Sequence, residues 1–401
     1  MAFVCPTLYF SSQLGISPIV EMAHNVEICL AYFHQMCYFQ PMLKLQFSVK
    51  ETEKRAANAL QALLKEIPAL KLKTLKTEDQ AADSGIDITA RVDVYGEPYF
   101  LVCEVKQYGQ PRYVRDAIHQ LRSYIAHLGK PATPILIAPY LSSASRELCL
   151  ENGICFLDFE GNARLAFGTV FIERLLSTKP EPERREFKSL FRPKSAQVLR
   201  VLLRNPKQVW RVVDLAAAAD VSLGHVSNVR SALLEREWAK VEPEGLLLTA
   251  PDALLDTWKS SYEPPVEEEM RFYTTMHGSA LELSIRELFA STPEKADAAL
   301  ASYSAAHWIA PYARTGTQYL YADRSMLEHI KQSLRLSSSL KGENVIVSLP
   351  RDRGVFLDVY EPVPGIRCTS PVQTYLDLSA SGERGREAAE HLRGTRLTWQ
   401  N

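Results

Sequence analysis

The feature that most limits what this chain can fold into is a pair of apolar runs, GIDITARVDVY (residues 85–95) and PYFLVCEVK (residues 98–106), joined by a turn around Gly96. Two such runs predict the antiparallel strands of a β-hairpin. Side chains alternate between the two faces of a strand, so Glu104 and Lys106 project together. A charged pair of this kind is typical either of a solvated sheet face or of one half of a metal-dependent active site.

The surrounding pattern predicts the rest of an α/β layer. Apolar residues at helical spacing, with a capping box formed by Ser48 and Glu51, predict an amphipathic helix before the hairpin. The complete order read from the sequence is α-β-β-β-α-β-α-β. Its remaining members are a strand near ALKLKTLK, a helix over YVRDAIHQLRSYIAHLG, a strand over TPILIAPYL, a helix over SSASRELCLENG and a strand and turn over ICFLDFEGNARLAF.

Composition bounds the class of protein. A chain of 401 residues predicts two or three domains. The net charge of −1 gives no general bias toward nucleic acid, so any basic surface must be local. Seven cysteines, an odd number without CxxC pairs, favour reduced thiols in a cytoplasmic protein.

Residues 1–45 are apolar and aromatic, but they have neither a basic start nor a run of about 18 apolar residues. We therefore expect neither a signal peptide nor a membrane span. An appended helix and translated sequence upstream of a true start near Met42 both stay open. The expected domains are residues 46–180, 188–262 and 266–401, with a charged, proline-bearing linker at 178–188 and a second boundary at 263–270.

The first site prediction concerns carboxylates on the hairpin. Sixteen residues separate Asp87 from Glu104, and one register of the two strands would place them side by side. Two carboxylates at that distance suit Mg²⁺ or Mn²⁺, and Lys106 on the same face can orient a water or offset charge on a phosphate. Asp83 and Asp93 are alternatives to Asp87.

This arrangement resembles the PD-(D/E)xK nuclease superfamily, which has a restriction-endonuclease-like fold with an α-β-β-β-α-β core. GID and EVK stand for its motif. Gln120 and Tyr124, four apart on the following helix, resemble the QxxxY motif of the RecB-type and phage-exonuclease branch, in which these residues line the active site. Glu53 is either an extra ligand or a solvated carboxylate of a first helical turn. Asp158 in FLDFEGN is either a ligand or a solvated residue at a strand end.

The second site prediction concerns VVDLAAAADVSLGHVSNVRSALLEREWAKVEPEGLLLTAP, which resembles a winged helix-turn-helix. In its recognition helix, three apolar residues are expected to point inward, namely Val226, Val229 and Leu233. The outer face then carries the predicted DNA-binding residues His225, Ser227, Asn228 and Arg230. Between Lys188 and Lys240 there are ten Lys and Arg residues against four Asp and Glu residues, a net of +6 that favours phosphate binding. A winged helix that serves only protein contacts is the alternative.

The last third resembles the C-terminal region of type IV toxin-antitoxin antitoxins of the AbiEi family, on the phrases YSAAHWIAPYARTGTQYLYAD and SPVQTYLDLSASGERGREAAEHL. The resemblance covers about residues 190–401 and implies transcriptional autorepression. The short antitoxins lack the preceding nuclease-like part. The expected fold class is α/β, followed by a winged helix and an α+β C-terminal domain.

Two functions follow. The first is a Mg²⁺- or Mn²⁺-dependent deoxyribonuclease in which Asp87 and Glu104 hold the metal, Lys106 assists attack, and Gln120 with Tyr124 orients the substrate. The second is a non-catalytic regulator or antitoxin that binds operator DNA. Double-stranded DNA is the expected partner of both, with a toxin or defence protein as a further partner. A homodimer stays open, and no membrane association is expected.

Overall fold

The computed structural model describes residues 48–77, 86–176, 189–291, 297–312, 316–338 and 342–399. The extension 1–45, the linker 178–188 and Asp83 therefore lie outside the described residues. The chain has an α/β fold. The N-terminal segment (residues 49–176) contains α1 (Val49–Lys65), β1 (Leu70–Thr77), β2 (Ile88–Val94), β3 (Glu97–Val105), α2 (Pro111–Leu128), β4 (Thr133–Ala138), α3 (Ser143–Glu151), β5 (Cys155–Asp158), β6 (Ala163–Phe167) and β7 (Val170–Arg174).

The seven strands form one sheet in sequence order. Strands β3, β4 and β5 run parallel, whereas β1 and β2 pair antiparallel with their neighbours. The expected order α-β-β-β-α-β-α-β is confirmed, and β6 and β7 extend it. The predicted hairpin turn is also confirmed, because Tyr95 and Gly96 both have positive φ, as a two-residue hairpin loop requires.

The two faces of this sheet bury different cores. On one face, α1 packs Leu60 and Leu64 against residues of β2 and β3 that include Ile88 and Leu101. On the other face, α2 packs against β3, β4 and β5, through residues that include Val102. Glu104, two residues after Val102, points to this second face by strand alternation. This is the face on which α2 packs.

The winged-helix segment (residues 189–262) contains three helices and a hairpin: α4 (Pro193–Arg204), α5 (Val212–Ala218), α6 (Leu223–Glu235), β8 (Ala239–Glu242) and β9 (Gly245–Leu248), followed by α7 (Pro251–Ser260). Trp210 pairs with Leu246 at the base of the hairpin. Gly245 is required there, because a Cβ atom would lie 2.3 Å from the Trp210 carbonyl oxygen. The three expected inward residues of α6, Val226, Val229 and Leu233, are buried.

The C-terminal segment (residues 266–399) is built on a six-stranded mixed sheet with the order β10-β13-β12-β11-β15-β14. Its elements are β10 (Val266–Phe272), α8 (Gly278–Ala290), β11 (Ala298–Leu300), α9 (Ser302–Ile309), β12 (Gln318–Ala322), α10 (Leu327–Ser333), β13 (Val345–Pro350), β14 (Tyr360–Val363), β15 (Ile366–Cys368), α11 (Pro371–Ser379) and α12 (Gly382–Arg396). The stretch 263–270, read as a boundary, contains most of the edge strand β10.

One hydrophobic core runs through the winged-helix and C-terminal segments. It extends from Leu190 to Leu397 and includes Leu199, Leu233 and Tyr375. Polar contacts cross the same junction, since Arg200 Nη2 donates to Gln373 Oε1 at 2.6 Å inside the core. The two segments are therefore packed together as one body, although the sequence presents them as separate units.

The apolar run GVFLDVY (residues 354–360) predicts a strand, and this prediction is wrong for all of its residues except the last, Tyr360, with which β14 begins. Residues Arg353–Phe356 form a 3-10 turn that Asp352 caps through the Gly354 N–H. Val355 and Phe356 are consecutive and both buried, which a tight turn permits and a half-exposed strand does not. Among the described helices, none has the length and apolar character needed to cross a bilayer.

Candidate functional site

The register of the hairpin decides where the two carboxylates lie. Ile88 pairs with Cys103, so Asp87, one residue before β2, lies opposite Glu104, the next residue of β3. The Val105 N–H donates to Asp87 Oδ2 at 2.5 Å and fixes the aspartate at this strand end. Glu104 faces α2 by strand alternation, and Asp87 lies between Ile86, which belongs to the core under α2, and Ile88, which belongs to the core under α1.

Lys106 and Gln120 complete a cluster with these carboxylates. Lys106 Nζ lies 2.8 Å from Glu104 Oε1 and donates to Gln120 Oε1 at 2.5 Å. The Glu104 side chain is only 6% exposed, whereas that of Lys106 is 21% exposed. The cluster therefore has a buried carboxylate at its base and an ammonium group at its rim, where a ligand from solvent would meet it.

The helix α2 supplies Gln120 because its inner stripe, from Val114 to Leu121, is held against the sheet. Gln120 lies at the edge of that stripe and points along the sheet toward Lys106. Tyr124 follows one turn later on the same flank and is half-buried beside the core of this face. The structure thus joins Asp87, Glu104, Lys106 and Gln120 by hydrogen bonds or strand pairing and leaves Tyr124 about 6 Å further along the helix axis.

Asp93, an alternative to Asp87, does not join this cluster. Asp93 lies six residues along β2 from Asp87, about 20 Å away in an extended strand, and accepts from the Gly96 N–H in the hairpin turn. Glu53 lies on α1, which covers the opposite face of the sheet.

Asp158 is not a solvated residue at a strand end, as one interpretation of the sequence held. It is 1% exposed and accepts hydrogen bonds from the Leu141, Glu160 and Asn162 N–H groups and from the Asn162 side chain. Burial raises its pKa, and these donors oppose the shift. Asp158 therefore holds its turn together as a structural carboxylate.

The chemistry of the donor set fits a hard divalent cation. Asp87 and Glu104 offer carboxylate oxygens, and Mg²⁺ commonly binds through one or two protein carboxylates while it keeps several waters. Within the described ranges, no group of three or more His, Cys, Asp or Glu residues has the arrangement of a metal site. The adjacent Cys103 thiol is fully buried, and burial together with Asp87 raises its pKa, so this thiol stays protonated.

The predicted DNA-binding residues lie on α6. His225, Ser227 and Asn228 are exposed, whereas Arg230 is half-buried. Ser222 caps the helix by accepting from the His225 N–H, and its hydroxyl lies 2.9 Å from His225 Nδ1. The N-terminal half of the helix therefore presents short polar groups to solvent.

A contact that the sequence does not reveal joins α6 to α2. The two helices are in contact, and Arg115 Nε of α2 donates to both carboxylate oxygens of Glu237, just after α6, at 2.7 and 2.9 Å. These residues are 122 positions apart, so no local pattern could have paired them. The hydrogen bond to Glu237 raises the pKa of Arg115.

The local charge count of the winged-helix segment overstates its exposed positive charge. Arg200 and Arg236 are buried, at 5% and 6% exposure, and donate to other protein groups. Arg204 and Arg211 pair with Asp358 and Asp214. Part of the net charge of +6 between Lys188 and Lys240 is thus buried or neutralised by ion pairs.

Comparison with known proteins gives one family. Residues 247–398 match the model of a family described as "Transcriptional regulator, AbiEi antitoxin, Type IV TA system". This stretch begins within β9 and covers α7 and all the helices and strands of the C-terminal segment. A search of curated proteins found no match.

Two solved structures are similar to parts of the chain. The apo form of EndoMS is 19% identical, with a TM-score of 0.20, over 26% of this chain and 45% of that one. The chain thus spans less than half of the length of EndoMS. The Megavirus polyadenylate synthase is 8% identical, with a TM-score of 0.23, over 98% of this chain and 74% of that one. TM-scores this low do not establish a common fold.

Proposed function

We propose that this chain is a DNA-binding protein whose N-terminal segment hydrolyses phosphodiester bonds of DNA with the help of Mg²⁺ or Mn²⁺, and whose winged-helix segment directs it to DNA. The observation that carries the proposal is the cluster of Asp87, Glu104, Lys106 and Gln120 at one end of β3. Neither the pair of carboxylates nor the lysine with its glutamine would indicate this activity alone. An acidic pair can hold a divalent cation, and the lysine beside it can stabilise negative charge on an attacked phosphate.

Each residue has a role in this proposal. Asp87 and Glu104 hold the metal, which when bound lowers the pKa of a water and neutralises charge on the phosphate. Lys106 lies at the rim, so its ammonium group stabilises the negative charge that develops on the attacked phosphate. Gln120 holds Lys106 Nζ in place by accepting its hydrogen bond, and Tyr124 orients the nucleic acid beside it.

The test is cleavage of linear and plasmid DNA by the full chain in Mg²⁺ and in Mn²⁺. We expect Glu104→Gln and Lys106→Ala each to slow cleavage by about 100-fold or more, because removal of one charge-stabilising group commonly costs that much. The matched control is Glu97→Gln, an exposed carboxylate on the same hairpin but at its far end, and it should cut like the unaltered chain. Cleavage that survives both Glu104→Gln and Lys106→Ala would exclude this centre.

A second candidate function is supported by the family match over residues 247–398. In this alternative the chain is a transcriptional regulator and type IV antitoxin that binds operator DNA through α6 and has a toxin as its partner, without catalysis. The same cleavage assay separates the two candidates. If no substrate is cut in either metal, while the chain binds a duplex from its own upstream region and Arg230→Ala weakens that binding, the regulator is the better description.

A further inference from the structure

Two of the seven strands, β1 and β2, leave the sheet face that carries the candidate centre exposed beside α2. The core on this face joins α2 to β3, β4 and β5, through residues that include Val102, Leu136 and Phe156. No residue of β1 or β2 belongs to that core. The outer two strands of the sheet therefore expose this face beside α2, next to the Asp87–Glu104 pair.

The exposed face is lined with basic side chains. Leu70, Leu72 and Leu75 of β1 point toward the opposite core. The register with β2 places Lys71, Thr74 and Lys76 on this face. Lys71, Lys76 and Arg91 are exposed, as is Lys73 at the bulge of β1. We call these four residues, Lys71, Lys73, Lys76 and Arg91, the ribbon track.

The rows of the sheet place the ribbon track in line with the centre. Lys76 pairs with Thr89, two residues along β2 from Asp87. The next row on the same face joins Arg91 to Thr74, and the last joins Lys71 to Asp93. Same-face rows lie about 7 Å apart, so the track runs about 20 Å from the Asp87–Glu104 row.

Most of the positive charge of the ribbon track is not neutralised by ion pairs with described residues. Asp93 is the one acidic side chain among these rows, and it lies 3.9 Å from Lys73 Nζ. Lys71, Lys76 and Arg91 form no ion pair with another residue that the structure describes. At the end of α2, Lys130 Nζ lies 3.8 Å above the Phe100 ring, in the row of Arg91, and adds a further cation at the border of the track. A chain with a net charge of −1 thus concentrates positive charge on the exposed face of β1 and β2.

We propose that the ribbon track binds the phosphate backbone of DNA and leads it into the Asp87–Glu104 centre. Lys76 and Arg91 contact the phosphates nearest the centre, and Lys71 and Lys73 contact those further along. At 3.4 Å per base pair, a 20 Å track matches about six base pairs of a duplex. The inference deepens the proposed nuclease function, since it names the surface that would hold the substrate of that centre, and it is separate from DNA contacts by α6.

The test compares two double variants of the full chain that change charge equally. Lys76→Glu/Arg91→Glu alters the track, and Lys54→Glu/Lys65→Glu alters exposed lysines of α1, on the opposite side of the sheet. Binding to a 30-base-pair duplex without an operator is measured in the absence of divalent metal, so that no cleavage occurs, at several salt concentrations. Thermal unfolding of each variant checks the fold, and Lys76→Gln/Arg91→Gln removes the charges without adding repulsion.

We expect the track variant to bind at least tenfold more weakly than the α1 variant. The slope of log affinity against log salt should fall by about two, one for each lost phosphate contact. The glutamine variant should show a similar loss of slope with a smaller loss of affinity. Equal affinity and slope in the track and α1 variants, or no binding of the unaltered chain at low salt, would overturn the ribbon track. Loss of binding in the track variant together with absence of cleavage by the unaltered chain would retain the track and reject the nuclease.

Discussion

Asp377 lies on α11 at the junction of the winged-helix and C-terminal segments. Its Oδ1 accepts hydrogen bonds from the Tyr262 and Tyr321 hydroxyls and from Gln373 Nε2. Its Oδ2 is buried without a hydrogen-bond partner among the described residues. Burial raises the pKa of Asp377 from 3.8 to about 6, and the three donors and Arg200 oppose the shift only in part. The folded chain therefore holds this proton more tightly than the unfolded chain does.

The resulting prediction is a loss of stability as the pH rises. The contribution of Asp377 is fully present below about pH 4 and is lost as the pH rises through 6, since the raised pKa belongs to the folded state. At about 1.4 kcal/mol per pH unit, the loss amounts to about 3 kcal/mol at most. Asp377→Asn should flatten the dependence of unfolding free energy on pH between 4 and 7, measured by urea unfolding. The exposed control Asp116→Asn should keep the slope of the unaltered chain, and an unchanged slope in Asp377→Asn would contradict the assignment.

The helix α2 separates two functional surfaces at the scale of elements. Arg115 and Gln120 are five positions apart, about 140° around the helix axis. The flank with Gln120 faces the candidate centre, whereas the flank with Arg115 meets α6 and Glu237. DNA that is held by α6 and DNA that is held at the centre would therefore approach opposite sides of one helix.

We predict that the Arg115–Glu237 pair contributes measurably to the α2–α6 contact. Arg115→Glu and Glu237→Arg should each destabilise the chain, and the double reversal should restore part of the loss, because the ion pair is re-formed with opposite polarity. The expected coupling is about 0.5 kcal/mol, because both side chains of the pair are exposed to solvent to a large extent. A double-mutant cycle in urea measures it. The matched cycle of Arg112→Glu, exposed one turn earlier on α2, with Glu237→Arg should give no coupling; equal coupling in both cycles would rule out a specific pair.

At the scale of the whole molecule, the N-terminal segment has cores of its own, whereas the other two segments share one core. Both cores of the N-terminal segment are formed from its own residues. The winged-helix and C-terminal segments instead share one core, and the Arg200 guanidinium of α4 is satisfied by Gln373 Oε1 and the Gly354 carbonyl of the C-terminal segment. A winged helix cut away from that partner would expose to water the apolar residues that it contributes to the shared core.

We therefore expect the fragment 189–262 to lack a cooperative thermal unfolding transition. The fragment 189–399, which keeps the shared core, should unfold cooperatively, and the fragment 49–176 serves as the control that keeps its own cores. Circular dichroism during heating and the dispersion of amide NMR signals measure the difference. A cooperative transition in 189–262 at the same temperature as in 189–399 would show that the shared core does not stabilise the winged helix.

Local patterns in the sequence determined the identity and order of most elements. The period of two in GIDITARVDVY and PYFLVCEVK gave the hairpin, and the helical spacing around Gln120 placed that residue on the flank of α2 that it occupies. The apolar positions of α6 were likewise confirmed, because a helix of 3.6 residues per turn buries one stripe whatever it packs on. The failure at GVFLDVY has the same origin, since a short apolar run does not distinguish a strand from a buried turn.

The sequence alone also singled out Asp87, Glu104, Lys106 and Gln120, but several registers of the hairpin were open to it. Only the tertiary structure selected the register. That register sets Asp87 opposite Glu104 and places Lys76 and Arg91 in the next rows of the sheet. It also decided which charges are buried, as at Asp158, Arg200 and Asp377, and which distant residues meet, as Arg115 meets Glu237. The physical reason is that periodicity depends on neighbours within one turn or one strand, whereas register, burial and ion pairing depend on contacts between residues far apart in the chain.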